Sequence, residues 1–326
     1  MKYNKIAGII LCTAGMIFLA SCAKNNSPVA TQNTDQSYFE SVMNGNDPQT
    51  SDLMTSDYAA LDDEAMYSVA MGSQPVTPQI QSITADTGIT PLKWGRFITG
   101  VSRSITSIDT SGDSVAIVNI QVVFTGNYEI YGIVAGTNDT ELVKKPYVET
   151  LQRSLRFVRI AHGNDPFFNW RLDAVTILNG GTQNSDITIT KVQIIPPSGD
   201  TLSTSDPNNY YMEVAWRWMH RLPLWGWNTQ VTVNVTLHST SVDTDIVALH
   251  YVPRNFGLHR QDMSLVSSAP DSTGYTRVYS LTFTIPGNDK KFSHIFVSAT
   301  THASLYTTTA TNFSSSLWGM PYKTSE

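Results

Sequence analysis

Four of the seven tryptophans fall within one stretch of twelve residues, Trp216-Arg217-Trp218-Met219-His220-Arg221-Leu222-Pro223-Leu224-Trp225-Gly226-Trp227. Alternate residues of a strand share a face, so Trp216 sides with Trp218, and Trp225 with Trp227, across a turn containing Pro223 and Gly226. Side-by-side aromatic rings can stack on sugars or anchor a protein partner, with Arg217 and His220 as polar neighbours. The same rings can instead fill a core, the commoner fate of large aromatics, leaving Arg217 and His220 on the wetter face. Spacing alone leaves both readings open.

Other reactive types are more scattered. His238, His250 and His259 lie within 22 residues, with His220 nearby. Imidazole is a common metal ligand, but the spacings match no compact metal motif, so these read as dispersed histidines and no metal is expected. Arg153, Arg156 and Arg159, with Arg171 beyond them, form a basic grouping that Asp173 and Glu149 can pair. Arg153 and Arg159 share a strand face and Arg156 takes the other, so solvated sheet charges are the reading, with an anion-binding cavity as the alternative. Asp62-Asp63-Glu64 is explained by the start of a helix, where carboxylates suit the dipole. No Gly-x-Ser-x-Gly, P-loop or Gly-x-Gly-x-x-Gly is present. Paired carboxylates for glycoside hydrolysis stay open, because their geometry is set by the fold. No cofactor is expected.

The chain opens Met1-Lys2-Tyr3-Asn4-Lys5 and then runs uncharged from Ile6 to Ala20. A basic start followed by an apolar run is the pattern of an export signal, and the run is short of the roughly 20 residues that span a bilayer. It ends Leu19-Ala20-Ser21-Cys22, which resembles the lipobox of bacterial lipoproteins. The resemblance implies cleavage before Cys22 and diacylglycerol and acyl (palmitate-type) modification of that residue. It also implies tethering in the cell envelope by lipid. Outer-membrane placement, facing the periplasm or the cell surface, is expected because no Asp follows Cys22. The other cysteine, Cys12, leaves with the signal, so the mature body has no disulfide and no thiolate site. Net charge is −6 with 15% charged residues, which excludes the basic footprint of a nucleic-acid binder.

The elements that must position these residues read mostly as strands. Residues 22–50 are polar and read as a flexible tether, with one helical turn near Tyr38-Phe39 and Val42-Met43. Residues 56–71 read as a helix, capped by Ser56 and Asp57 and stopped at Gly72. From Trp94 the period changes to two. Phe97, Thr99 and Val101 line a first strand, and Ala116, Val118, Ile120, Val122 and Phe124 a second. Leu151, Leu155 and Phe157 line a third over 147–160, and a fourth covers 170–178. This is an antiparallel meander. Gly180 to Ser185 reads as a domain junction. Strands then follow at 187–195, 210–219, 229–239, 244–251, 275–285 and 292–305.

The closing Phe168-Asn169-Trp170-Arg171-Leu172-Asp173 resembles the last strand of NTF2-like or cystatin-like α+β domains. Ser293 to Thr300 resembles a late strand of an immunoglobulin-like sandwich. The resemblances imply a mostly β fold. It comprises a signal peptide (1–21), the tether (22–50) and an α+β domain with a four-stranded meander (51–180). An immunoglobulin-like β-sandwich (181–306) and a C-terminal tail (307–326) complete it. A non-catalytic binding or assembly role with a protein or glycan partner is expected. The alternatives are glycan binding through the tryptophan segment and an enzyme with a cavity in the 94–178 meander.

Overall fold

The computed structural model describes residues 34–62, 88–136, 139–214, 222–251, 260–287 and 292–325. Among them the fold is mostly β. Two helices, α1 (Thr34–Met43) and α2 (Ser51–Leu61), precede three long strands, β1 (Ile89–Ser111), β2 (Val115–Val134) and β3 (Thr140–Arg159). Then come β4 (Trp170–Val175), β5 (Leu178–Thr182), β6 (Ile187–Ile195), β7 (Leu202–Thr204), β8 (Met212–Glu213) and β9 (Leu224–Gly226). The chain continues through β10 (Gln230–Ser239), β11 (Ile246–Tyr251), β12 (Arg260–Asp262), β13 (Ser264–Pro270) and β14 (Tyr275–Thr284). It closes with β15 (Ser293–Thr300), a short helix α3 (His302–Tyr306) and β16 (Ser315–Ser325).

The meander is present: β1, β2 and β3 pair antiparallel in sequence order, and β4 pairs with β3. Its inner face carries Ala116, Val118, Ile120, Val122, Phe124, Leu151, Leu155 and Phe157, all buried. On β1 the expected face is half right. Trp94, Arg96 and Ile98 point inward, not Phe97 and Thr99, and Val101, Ile105 and Ile108 pack on the core beyond them. Two β-bulges explain the changes: the one between Ile98 and Gly100 brings Val101 and Ile105 inward, and the one between Ile105 and Ser107 swaps the faces again to bring Ile108 inward, because each unpaired residue reverses the faces after it. The same device acts on β6, where Ile187 and Ile189 are followed inward by Val192 and Ile194 across a register shift.

The meander does not end its own sheet. The Gly180-Gly181 segment, expected as a junction, is strand β5. It pairs with β3 on one side and β16 on the other. One hydrogen-bonded sheet therefore runs β1-β2-β3-β5-β16-β15-β11-β12, across the boundary expected at residues 180–181. Glycine is required at this joint by space. A Cβ on Gly180 would lie 2.1 Å from the Thr150 carbonyl oxygen, and one on Gly181 would lie 2.1 Å from that of Ser315.

A second sheet, β13-β14-β10-β6-β7, lays Val231, Val233, Val235, Leu237, Tyr279 and Phe283 into the same core. β6 packs against β15 and β16, and α2 packs against β15 and β11, which leaves every residue of β15 buried.

Three expectations need correction. The tail expected from residue 307 contains β16, an inner strand buried from Ser315 to Tyr322. Its period was hidden because it is covered on both faces, so apolar residues do not alternate with polar ones. The tether expected over 22–50 is folded from residue 34. Tyr38, Phe39, Val42 and Met43 form a buried stripe on α1, with Phe39 4.6 Å from Phe157 and 5.5 Å from Trp170 between ring centres. A four-residue apolar stripe suffices because the sheet end offers aromatic partners. The helix expected over 56–71 runs instead from Ser51 to Leu61, so Asp62 follows its end and does not mark its start; ahead of Ser51, Asp47 accepts from the Gln49 N–H and the Thr50 hydroxyl. Residues 63–87, which would hold its second half, lie outside the described residues.

Replacing Gly181 by Ala is expected to cost about 1–3 kcal/mol, the usual range for forcing volume into a packed site. A lower urea midpoint with an unchanged slope would register it.

Candidate functional site

The tryptophan segment enters the described residues at Leu222. Trp216, Arg217, Trp218 and His220 lie outside them. Trp225 is carried on β9, which runs parallel to β16, and is buried against Tyr322 at 5.0 Å between ring centres. Trp227 is half-buried and its ring lies over Gly287. Trp225 therefore does not present an open face for stacking. Strand β9 ends at Gly226, and Asn228 turns the chain with a positive φ of 62°.

Among the described residues, the two histidines of the set, His238 and His250, stand in different sheets. His238 stands on β10, with its Nε2 3.0 Å from the Thr273 hydroxyl, while His250 is buried on β11 in the other sheet. His259 and His220 lie outside the described residues. Among the described residues, no three His, Cys, Asp or Glu side chains come close enough to hold a metal ion.

The arginines were expected as solvated charges with Glu149 and Asp173 as partners. Asp173 does pair with Arg156, at 2.7 Å. Arg159 pairs with Asp35 at 3.0 Å and lies over the Trp170 ring at 4.4 Å. Arg171 is exposed. Arg153, however, is buried, with its Nη2 3.5 Å from His294 Nε2. Glu149 belongs to a different partner, Arg96.

This pair is the most unusual arrangement of charge in the body. Arg96 and Glu149 are both at 0% exposure. Arg96 donates from Nη2 and Nε to the two carboxylate oxygens at 2.8 to 3.2 Å. Its Nη1 donates to the Ser298 hydroxyl at 2.7 Å, and the Ser315 hydroxyl donates to Glu149 Oε1 at 2.6 Å. Burial works against the Arg96 charge, but Glu149 beside it outweighs burial and holds its pKa above the ordinary value. The four residues come from β1, β3, β15 and β16. The network therefore ties the meander to the C-terminal strands through side chains, just as β5 ties them through backbone.

Three more buried charges, Lys145, Arg277 and Asp245, are consumed in the same way. Lys145 Nζ donates to the Ala303 carbonyl, the Thr307 hydroxyl and the Asn312 carbonyl at 3.0, 3.0 and 3.2 Å. It thereby fastens the α3 loop to β3, and burial pushes its pKa down to about 8. Arg277 on β14 pairs with Asp245 and donates to the carbonyls of Ser241 and Val242 at 2.7 and 2.9 Å. Asp245 also accepts from the Ser239 hydroxyl at 2.8 Å. Burial raises the Asp245 pKa, opposed by Arg277 and Ser239.

The cavity for a substrate was expected within the meander. The inner face of the meander is filled by its apolar row and by the Arg96–Glu149 pair. A groove of about 730 Å³ opens instead between α1 and the far part of β1, beside Gln36, Glu40, Arg103 and Ser104. That volume is in the range of small-molecule sites. Yet Gln36 binds Glu40 at 2.8 Å, and Arg103 binds the Met54 carbonyl at 3.1 Å. The groove offers polar contact, from the Glu40 carboxylate and the hydroxyls of Ser104, Thr106 and Ser107.

No protein-family model matches this chain. No curated protein matches it.

Breaking the buried pair on one side should be severe. Glu149→Gln is expected to cost about 3–5 kcal/mol, because the Arg96 charge stays buried without its counter-ion. Arg96→Met with Glu149→Leu is expected to cost less than Glu149→Gln alone. Urea unfolding of the three proteins at one pH makes the comparison.

Proposed function

We propose that this chain is a lipid-anchored protein of the bacterial cell envelope whose β-rich body has a non-catalytic binding or assembly role. The observation that carries the address is the tetrapeptide Leu19-Ala20-Ser21-Cys22 directly after an uncharged run. The body adds support of a different kind. Its deeply buried charges at Arg96, Glu149, Lys145, Arg277 and Asp245 are each held by partners on other strands or loops, where they join elements. Groups that act on a substrate must instead face it.

In this reading α1, α2 and β1–β4 are the NTF2-like or cystatin-like part. The β6, β7, β10, β13 and β14 sheet, packed on β15 and β16, is the immunoglobulin-like part. The partners are the membrane, through lipid on Cys22, and a protein or glycan of the envelope met by the sheet surfaces. The outer membrane is the proposed location, and the net charge of −6 argues against nucleic acid.

Cells fed a clickable palmitate analogue are expected to label the wild-type chain, and Cys22→Ser is expected to abolish the label. The variant should also leave the membrane fraction or accumulate as a precursor. Equal labelling of both proteins would refute the anchor.

A further inference from the structure

The connection between β3 and β4 holds large apolar side chains out in water. Ile160 is 56% exposed, Phe167 51% and Phe168 71%. Such a cluster is costly to leave wet, and burial stabilises it in proportion to its area. The loop holds its shape through its own polar groups. The Asn169 amide accepts from the Gly163 N–H at 2.7 Å and donates to the Gly163 carbonyl at 2.8 Å. The Ile160 N–H donates to the Asn169 carbonyl at 2.7 Å. The Asp165 carboxylate accepts from the Phe167 N–H at 3.0 Å, and Pro166 opens a single 3-10 turn that carries both phenylalanines. The aromatic rings are thus presented by a braced loop.

The position of the loop says what covers it. It sits against the start of α1, where Tyr38 meets Phe167 at 5.4 Å between ring centres and Asp35 pairs with Arg159 at 3.0 Å. Residues 23–33 are all that separate Cys22 from Thr34. At full extension that length reaches at most about 40 Å, so an anchored Cys22 keeps this end of the body near the bilayer. Another exposed apolar grouping, around Leu92, Tyr131 and Leu142, lies at the opposite end of the long strands, and the chain supplies no tether there.

We infer that the Ile160–Phe168 loop is a membrane-contact site: Phe167, Phe168 and Ile160 insert into the phospholipid interface of the membrane that carries the Cys22 lipid. The inference rests on the lipoprotein reading above. Lipid at Cys22 supplies the anchoring, and the loop supplies a second, shallow contact that sets the orientation of the body. Apolar side chains at such interfaces reach about 5–10 Å into the headgroup and acyl boundary.

The test uses the full-length lipidated chain in phosphatidylethanolamine–phosphatidylglycerol vesicles. Neither cysteine lies in the body, so Phe168→Cys introduces a labelling site there. An environment-sensitive fluorophore is placed at residue 168 or, in a control, at Val242→Cys, whose native side chain is 76% exposed on the β10–β11 turn. Vesicles include lipid bearing a nitroxide near the headgroup end of its acyl chain. Loss of emission and a blue shift at residue 168, with neither at 242, are expected. An unquenched label at 168, or equal quenching at both positions, overturns the membrane contact. Intact-mass measurement of the same preparations reads the anchor separately. Lipid on Cys22 with an unquenched 168 overturns the loop contact alone, whereas absence of lipid on Cys22 overturns both readings.

Discussion

Glu149 is buried among strands distant in sequence, and the body is built around satisfying it. Its carboxylate needs Arg96 from β1 and the Ser315 hydroxyl from β16, and Arg96 needs the Ser298 hydroxyl from β15. A buried charge pair contributes little net stability compared with apolar side chains of the same size, because desolvation offsets the attraction. What it does is penalise arrangements that separate the partners. β1 and β3 must be in register with β15 and β16 before either charge is neutralised. The backbone imposes the same demand through β5, whose two glycines let the Thr150 and Ser315 carbonyls approach from both sides.

The second constraint is the lack of a covalent staple. Cys12 and Cys22 both precede the folded body, so no disulfide ties its sheets together. Burial of a large common core does most of that work, with Tyr38 on α1 and Tyr322 on β16 in the same cluster. The polar cross-links act where elements meet at a distance. Lys145 fastens the α3 loop, and Arg277 with Asp245 fastens the β10–β11 turn to β14. Each meets the donors or acceptors of the loop it fastens, which matters because an unmet buried hydrogen bond costs more than a made one contributes.

The surface has a different logic. The β3–β4 loop and the start of α1 lie together, so the end of the body that receives the chain from Cys22 is also the end with the exposed phenylalanines. The polar groove beside α1 lies near the same end. Exposed apolar and polar contact chemistry is therefore unevenly distributed over the body, gathered where α1 meets the β3–β4 loop.

Period-two alternation on β2 and β3 was legible because one face of each meets the core and the other meets water. β6 was legible from Ile187 to Ile195 for its composition, yet its face was not, since a bulge reverses inward and outward within it. Thr99 on β1 hides a reversal of the same kind. The strand β16 was missed because burial on both faces erases its period, and the helical turn read at Tyr38-Phe39 and Val42-Met43 was legible while its docking on the sheet was not, since so short a stripe does not show what covers it. By itself the sequence determined the mostly β composition, the meander and the position of both cysteines, because these depend on local order along the chain. Only the tertiary structure decided that Arg96 meets Glu149, that Trp225 lies on Tyr322 and that Gly181 faces Ser315. Those contacts join residues far apart in the chain, and no spacing along it encodes which strands will be neighbours.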